Sequence, residues 1–295
     1  MTDGKVRYRI VNLAVIALTA ALFIHDYHDV RGLFAERDLW QILLIAATAL
    51  IVHFIKGSRL FLAIYGSDMD MPACARIYCR VTPVSVILPF KLGEFFRMYC
   101  YGVAFNSLIR GAVTIILDRF MDTMALITVI LLVLVFTGGH VSAFTYALLL
   151  FLLFVLLIYF VYPGVYRFWK RYFLRGRASE RRLRFLAILD RSHELYKEIT
   201  NISKGRGIIL YFMSLIAWII EISSLALLAG IQGDGVFNDT VTGYLSSAMG
   251  GEPSRELRQF IFLSVVLLVA SFAAIQLRGL ISRKKGISGE GHRDL

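Results

Sequence analysis

Charge is scarce in this chain of 295 residues, 18% of which are Asp, Glu, Lys or Arg, while 58% are hydrophobic and the mean hydropathy is +0.68. An ordinary soluble domain carries about 25% charged residues, so the balance excludes a water-soluble fold and predicts an all-α polytopic membrane protein. No polar stretch is long enough for a separate catalytic domain; residues 1–282 read as one membrane domain and 283–295 as a disordered basic tail. Cysteine is limited to Cys74, Cys79 and Cys100. They flank segments assigned below to the cytoplasmic side, where thiols stay reduced, so no disulfide is expected. Walker, HExxH and Gly-x-Ser-x-Gly motifs are missing, as is the paired acidic motif of a Mg²⁺-dependent lipid phosphotransferase. The reading is therefore of a protein that is not an enzyme, with no cofactor and no metal.

Long apolar runs are what the chain does have. They fall roughly at 10–24, 39–55, 77–105, 107–136, 142–162, 207–230 and 259–277, each near the roughly 20 residues a helix needs to span. Lys5, Arg7 and Arg9 before the first run resemble a signal peptide, but no small-x-small site follows, so the run is read as a retained span. Acid is scarcer than base, 21 residues against 32, and the excess sits in particular loops. The linker 163–206 holds twelve Lys/Arg against four Asp/Glu. With the basic N-terminus, Lys56/Arg59 and the Arg283-Lys284-Lys285 tail, it is placed in the cytoplasm, while 26–38, 137–141 and 232–256 are placed outside. Both termini then lie on the cytoplasmic side of an inner membrane crossed by about six helices.

This topology decides the run at 77–105, which Pro89-Phe90-Lys91-Leu92-Gly93-Glu94-Phe95-Phe96-Arg97 interrupts. It has to begin and end inside, yet Ile77 to Leu88 is about 12 residues, or roughly 18 Å of helix, and neither half crosses a core of about 30 Å. A re-entrant helical hairpin kinked at Pro89 and opened at Gly93 is expected, entering from the cytoplasmic side. Interleaved aromatics and cations in the linker, Tyr166 to Phe173 and Arg181 to Phe185, suit an interfacial anchor on the membrane and not a nucleic-acid surface. A second interrupted region, around Gly243 to Pro253, suggests a partner for the first.

Charges inside these runs are the candidate site, since at bilayer depth each costs about 2.5 to 3.5 kcal/mol unless it meets a cavity, a partner or a substrate. A helix beginning near Gly93 would aim free N–H groups and its positive dipole end at an anion, beside Lys91. Glu94 and Arg97, three apart, can pair and neutralise the hairpin. Asp118 and Asp122 share a helical face with Arg119 about 100° away. They either coordinate an ion or relay a proton, or serve as partners for Arg97, Lys91 or Arg110. Glu221 is a lone acid in an apolar span, a proton-relay candidate or the mate of a hairpin cation. His25 and His28 have metal-ligand spacing but no third ligand.

Val81 to Leu92 running into Gly93-Glu94-Phe95-Phe96-Arg97 resembles the Pro-x-x-x-Gly-Glu-x-x-Arg element of the flippase-like membrane domain of lysylphosphatidylglycerol synthases and its stand-alone relatives. Asp118-Arg119-Phe120-Met121-Asp122 is similar to that family's Glu-Arg-x-x-Asp element, with Asp for Glu, and Trp218 to Glu221 to its Trp-x-x-Glu element. Met249 to Pro253 is a degraded echo of the second re-entrant element, and the soluble aminoacyl-transfer domain is not found. The resemblance implies movement of a lipid or lipid-linked sugar with an anionic head group across the cytoplasmic membrane, in envelope lipid or glycolipid assembly. Lys91, Gly93, Glu94, Arg97 and Arg119 would then bind the head group, with Asp118, Asp122 and Glu221 for charge compensation or coupling. A non-transporting subunit or scaffold for an envelope glycosyltransferase is the alternative. Anionic phospholipid or lipid-linked glycan, envelope-biosynthesis enzymes and a second copy of the chain are the partners to consider.

Overall fold

A computed structural model describes residues 2–65, 69–88, 92–137, 143–175, 179–228 and 253–290. Ten helices and no strand occur among them: α1 (Thr2–Asp26), α2 (Val30–Phe34), α3 (Leu39–Ile64), α4 (Met71–Ile87), α5 (Leu92–Ala104), α6 (Leu108–Thr137), α7 (Ala143–Arg175), α8 (Glu180–Ser203), α9 (Gly207–Leu228) and α10 (Arg255–Glu290). An all-helical chain satisfies its backbone within each segment, as hydrocarbon requires. Among the described residues four stretches are long and apolar enough to cross a membrane: Leu39–Ile64, Thr145–Arg175, Gly207–Leu228 and Arg255–Gly279. α6 has 30 residues, about 45 Å of helix, with Asp118 and Asp122 buried partway along. α1 contributes the shorter apolar stretch Ile10–Asp26.

Burial separates the bundle from its periphery. α3, α6, α9 and α10 share the core, where Ile45, Ala49 and Val52 of α3 meet Leu225 and Leu228 of α9 and Leu257 and Phe260 of α10. Only 6% of the α7 span is covered, leaving Leu150, Phe151, Leu153, Phe154, Leu157 and Phe160 exposed. Such a surface suits lipid and would aggregate in water. The helix ends sort into two groups. Arg37, before α3, bonds to Glu256 at 2.8 Å and to the Leu228 carbonyl at 2.7 Å, so the starts of α3 and α10 and the end of α9 share one end of the bundle. At the other end Arg206 donates to the Tyr65 carbonyl at 2.6 Å and Arg110 pairs with Glu198 at 3.1 Å.

α4 and α5 form an antiparallel hairpin. Its first arm is longer than expected, starting at Met71 and not Ile77, because Asp70 accepts from the Ala73 N–H at 3.2 Å and Pro72 fits the first turn. At 17 and 13 residues the arms measure about 25 and 20 Å, both short of the roughly 30 Å core. Gly93 is buried against the backbone of Ser85, whose Cα a Cβ at this position would strike, so it brings the arms together. Gly111 does the same between α6 and α5, where a Cβ would meet the backbone of Gly102. Small residues are the usual means of close helix approach in membranes. Between α5 and α6 Asn106 turns the chain with φ 52°, a conformation Asn tolerates.

Other expectations are altered. Pro163 lies inside α7, which continues to Arg175, so much of the linker is a helical extension that packs on α8. α10 runs to Glu290, through residues expected to be disordered. Cys74, Cys79 and Cys100 are free. Pro89, Lys91 and the second motif at 249–252 lie outside the described residues.

Candidate functional site

Lys56 and Arg59 are three residues apart on one face of α3. Apolar sequence continues beyond them to Ile64, so both side chains belong to the helix body and not to a loop. Arg59 is 3% exposed and is the centre of the site. Its Nη2 and Nε reach Asp118 Oδ1 at 2.6 and 3.0 Å, and its Nη1 reaches Asp122 Oδ1 at 2.5 Å and also Ser214 Oγ of α9. The i, i+4 spacing on α6 presents both carboxylates to one guanidinium. Trp218 Nε1 donates to the Asp122 carbonyl at 3.1 Å. Its ring lies under Lys56 Nζ at 5.1 Å, and the same ammonium pairs with Glu221 Oε2 at 2.7 Å.

The hairpin joins the cluster through α5. Glu94 accepts from Arg119 Nη2 at 2.6 Å and from Arg97 Nη1 at 3.3 Å. Arg97 Nη2 stands 3.6 Å from Asp118 Oδ2, and Arg119 Nη1 3.8 Å from Asp122 Oδ2. Lys56, Arg59, Arg97 and Arg119 therefore face Glu94, Asp118, Asp122 and Glu221, four charges of each sign in contact across four helices. Arg59 stands five residues, about 8 Å, before the end of α3, so the cluster lies toward one end of the bundle.

The two buried arginines differ. Arg59 is saturated by short bonds, whereas Arg97, 2% exposed, makes one hydrogen bond at 3.3 Å and leaves its Nε without a partner among the described residues. A buried guanidinium with spare donors costs folding energy and is suited to receiving an anion. Beside it, His53 Nδ1 of α3 lies 3.1 Å from the Tyr78 hydroxyl of α4.

Six sequence candidates, Glu94, Arg97, Asp118, Arg119, Asp122 and Glu221, thus converge. Gly93 is a packing residue in this geometry. Glu221 pairs with Lys56 of α3, and Arg110 pairs with Glu198 of α8. In the sequence Lys56 and Arg59 carry a topology signal only, and nothing there singles out Ser214. The apolar run Leu60 to Ile64 after Arg59 is the signal that could have found them. His28 contacts the His25 carbonyl at 2.9 Å and is exposed.

A polytopic helical bundle with a short-armed hairpin feeding a buried ion cluster defines the class. The chain belongs to the family described as the lysylphosphatidylglycerol synthase TM region, whose model matches residues 9–235, and this ties it to lipid and envelope biosynthesis. No curated protein and no solved structure matches the chain significantly.

Proposed function

We propose that this protein moves a lipid or lipid-linked sugar with an anionic head group across the cytoplasmic membrane, as a transporter and not an enzyme. Arg97 carries the reading: a buried guanidinium with unused donors, on a hairpin too short to cross, is a place for a phosphate. Lys91, six residues earlier in sequence, adds a cation, and the family membership supports a lipid substrate. The hairpin enters from the cytoplasmic side, which also holds both termini. Head groups dock on Arg97 from that side while tails stay in the bilayer, and the acids at Asp118, Asp122 and Glu221 keep the cations compensated when the site is empty.

Reconstitution into vesicles with a fluorescent anionic phospholipid tests this. Arg97→Gln should insert normally and lose at least about tenfold in translocation rate, the effect of about 1.4 kcal/mol. Unchanged transport by Arg97→Gln and by Lys91→Ala would remove the assignment.

One observation favours a second reading, a non-transporting scaffold for an envelope enzyme. The described cluster is balanced, four against four, as a purely structural network would be. Purified wild-type protein that moves no lipid but co-purifies with a glycosyltransferase would decide for the scaffold.

A further inference from the structure

α7 presents two different faces from Tyr162 onward. One packs antiparallel on α8 through Tyr162 on Tyr196, Tyr166 on His193 and Phe173 on Phe185, with ring centroids 4.9, 3.8 and 5.9 Å apart. Lys170 belongs to this side and has an acid, Asp190, at 3.1 Å. The other face carries Arg167, Arg171 and Arg175 at i, i+4, i+8, with Phe168 and Tyr172 beside them, and Arg182 of α8 completes a groove of about 610 Å³. Among the described residues no acid lines it, and α7 contains none over its 33 residues. Like charges at this spacing repel, so the stripe is unfavourable unless an anion sits on it.

Height along α7 indicates which anion. About 20 residues from Ala143 cover the roughly 30 Å core and reach Pro163, so Arg167 stands one turn beyond the hydrocarbon and Arg171 one turn further. These are head-group heights, and exposed Phe168 and Tyr172 suit the same layer. An excess of cations on this side is ordinary, but their gathering on one acid-free face, while Lys170 on the adjoining face is matched, is an arrangement specific to this helix. We propose that the outer face of α7 is a second lipid site, which holds phosphates of anionic phospholipids of the leaflet that α7 leaves. It is separate from the Arg97 cluster and does not depend on transport.

The test uses the full chain in phosphatidylcholine bilayers doped with spin-labelled phosphatidylglycerol or spin-labelled phosphatidylcholine. Wild-type protein should immobilise the anionic probe preferentially at low salt. Arg→Gln changes at Arg167, Arg171 and Arg175 should lower the relative affinity by about fivefold each, equivalent to about 1 kcal/mol per cation. The Arg→Lys triple variant should keep most of the preference, which also guards against misfolding as the cause. The Gln triple variant should lower the preference by the same factor in an Arg97→Gln background as in the wild type, so failure here is distinguishable from failure of the transport reading. No preference in the wild type, or a preference that survives the Gln triple variant, overturns the proposal. So does a photo-crosslinker in place of Phe168 that captures a soluble protein and no lipid in native membranes.

Discussion

Arg59 of α3 holds both Asp118 and Asp122 of α6, at 2.6 and 2.5 Å, and all three residues are buried. The hairpin arginine, Arg97, touches the same Asp118 only at 3.6 Å. One guanidinium is therefore committed to joining helices, and the other retains capacity for a ligand. This division gives the site two separable kinds of variant.

Removing the committed one should unfold the bundle. Arg59→Ala leaves two buried carboxylates with only the longer contacts to Arg97 at 3.6 Å and Arg119 at 3.8 Å, and breaking a buried pair in this way costs about 3 to 5 kcal/mol. Thermal unfolding of detergent-solubilised protein should show a large loss for Arg59→Ala and a much smaller one for Arg97→Gln. Equal losses would contradict the division of roles.

Lys56 and Glu221 should be coupled. They meet at 2.7 Å with Lys56 partly exposed and Glu221 buried, so Lys56→Ala should destabilise more than the double variant with Glu221→Gln, which leaves no orphan charge. A double-mutant cycle should give a coupling of about 0.5 to 3 kcal/mol. A value near zero would show that the pair is incidental.

The glycine contacts should be intolerant of size. Gly111→Leu drives a side chain into the Gly102 backbone and Gly93→Leu into that of Ser85, so neither can be absorbed by a rotamer change. Overpacking of this kind costs about 1 to 3 kcal/mol or more. Gly164→Ala, where a Cβ meets nothing within 4 Å, is the control and should leave unfolding temperature nearly unchanged.

Acid should loosen the α7 and α8 pair. Burial, then Lys197 and Lys170, hold the His193 imidazole below its ordinary 6.5, and hydrogen bonds from Lys170 and Tyr166 hold the Asp190 carboxyl below its ordinary 3.8. Both groups have depressed values in the folded state, so their contributions are complete above the unfolded values and are lost as pH falls through the folded ones. Protection of α8 amides, as exchange corrected for its intrinsic pH dependence, should thus be greatest at neutral pH, fall with His193 below its ordinary 6.5, and fall again with Asp190 below its ordinary 3.8. His193→Gln should abolish the first step and leave the second.

The sequence by itself determined the class of the molecule, since apolar runs near 20 residues with few charges have no stable alternative to helices in a bilayer. It also marked most of the site, because a charge at depth is costly enough that Glu94, Arg97, Asp118, Arg119, Asp122 and Glu221 each called for a reason. Tertiary structure decided the partners. A cation near the end of an apolar run reads as a loop charge, and only the packing of α3 between α6 and α9 places Lys56 and Arg59 inside. Pair assignment depends on which faces of distant helices meet, and this is why Glu221 went to α3, Arg110 to Glu198, and Gly93 to a contact with Ser85. Helix limits likewise followed local chemistry that hydropathy does not weigh: the Asp70 cap extended α4, and the aromatic contacts with α8 carried α7 through Pro163.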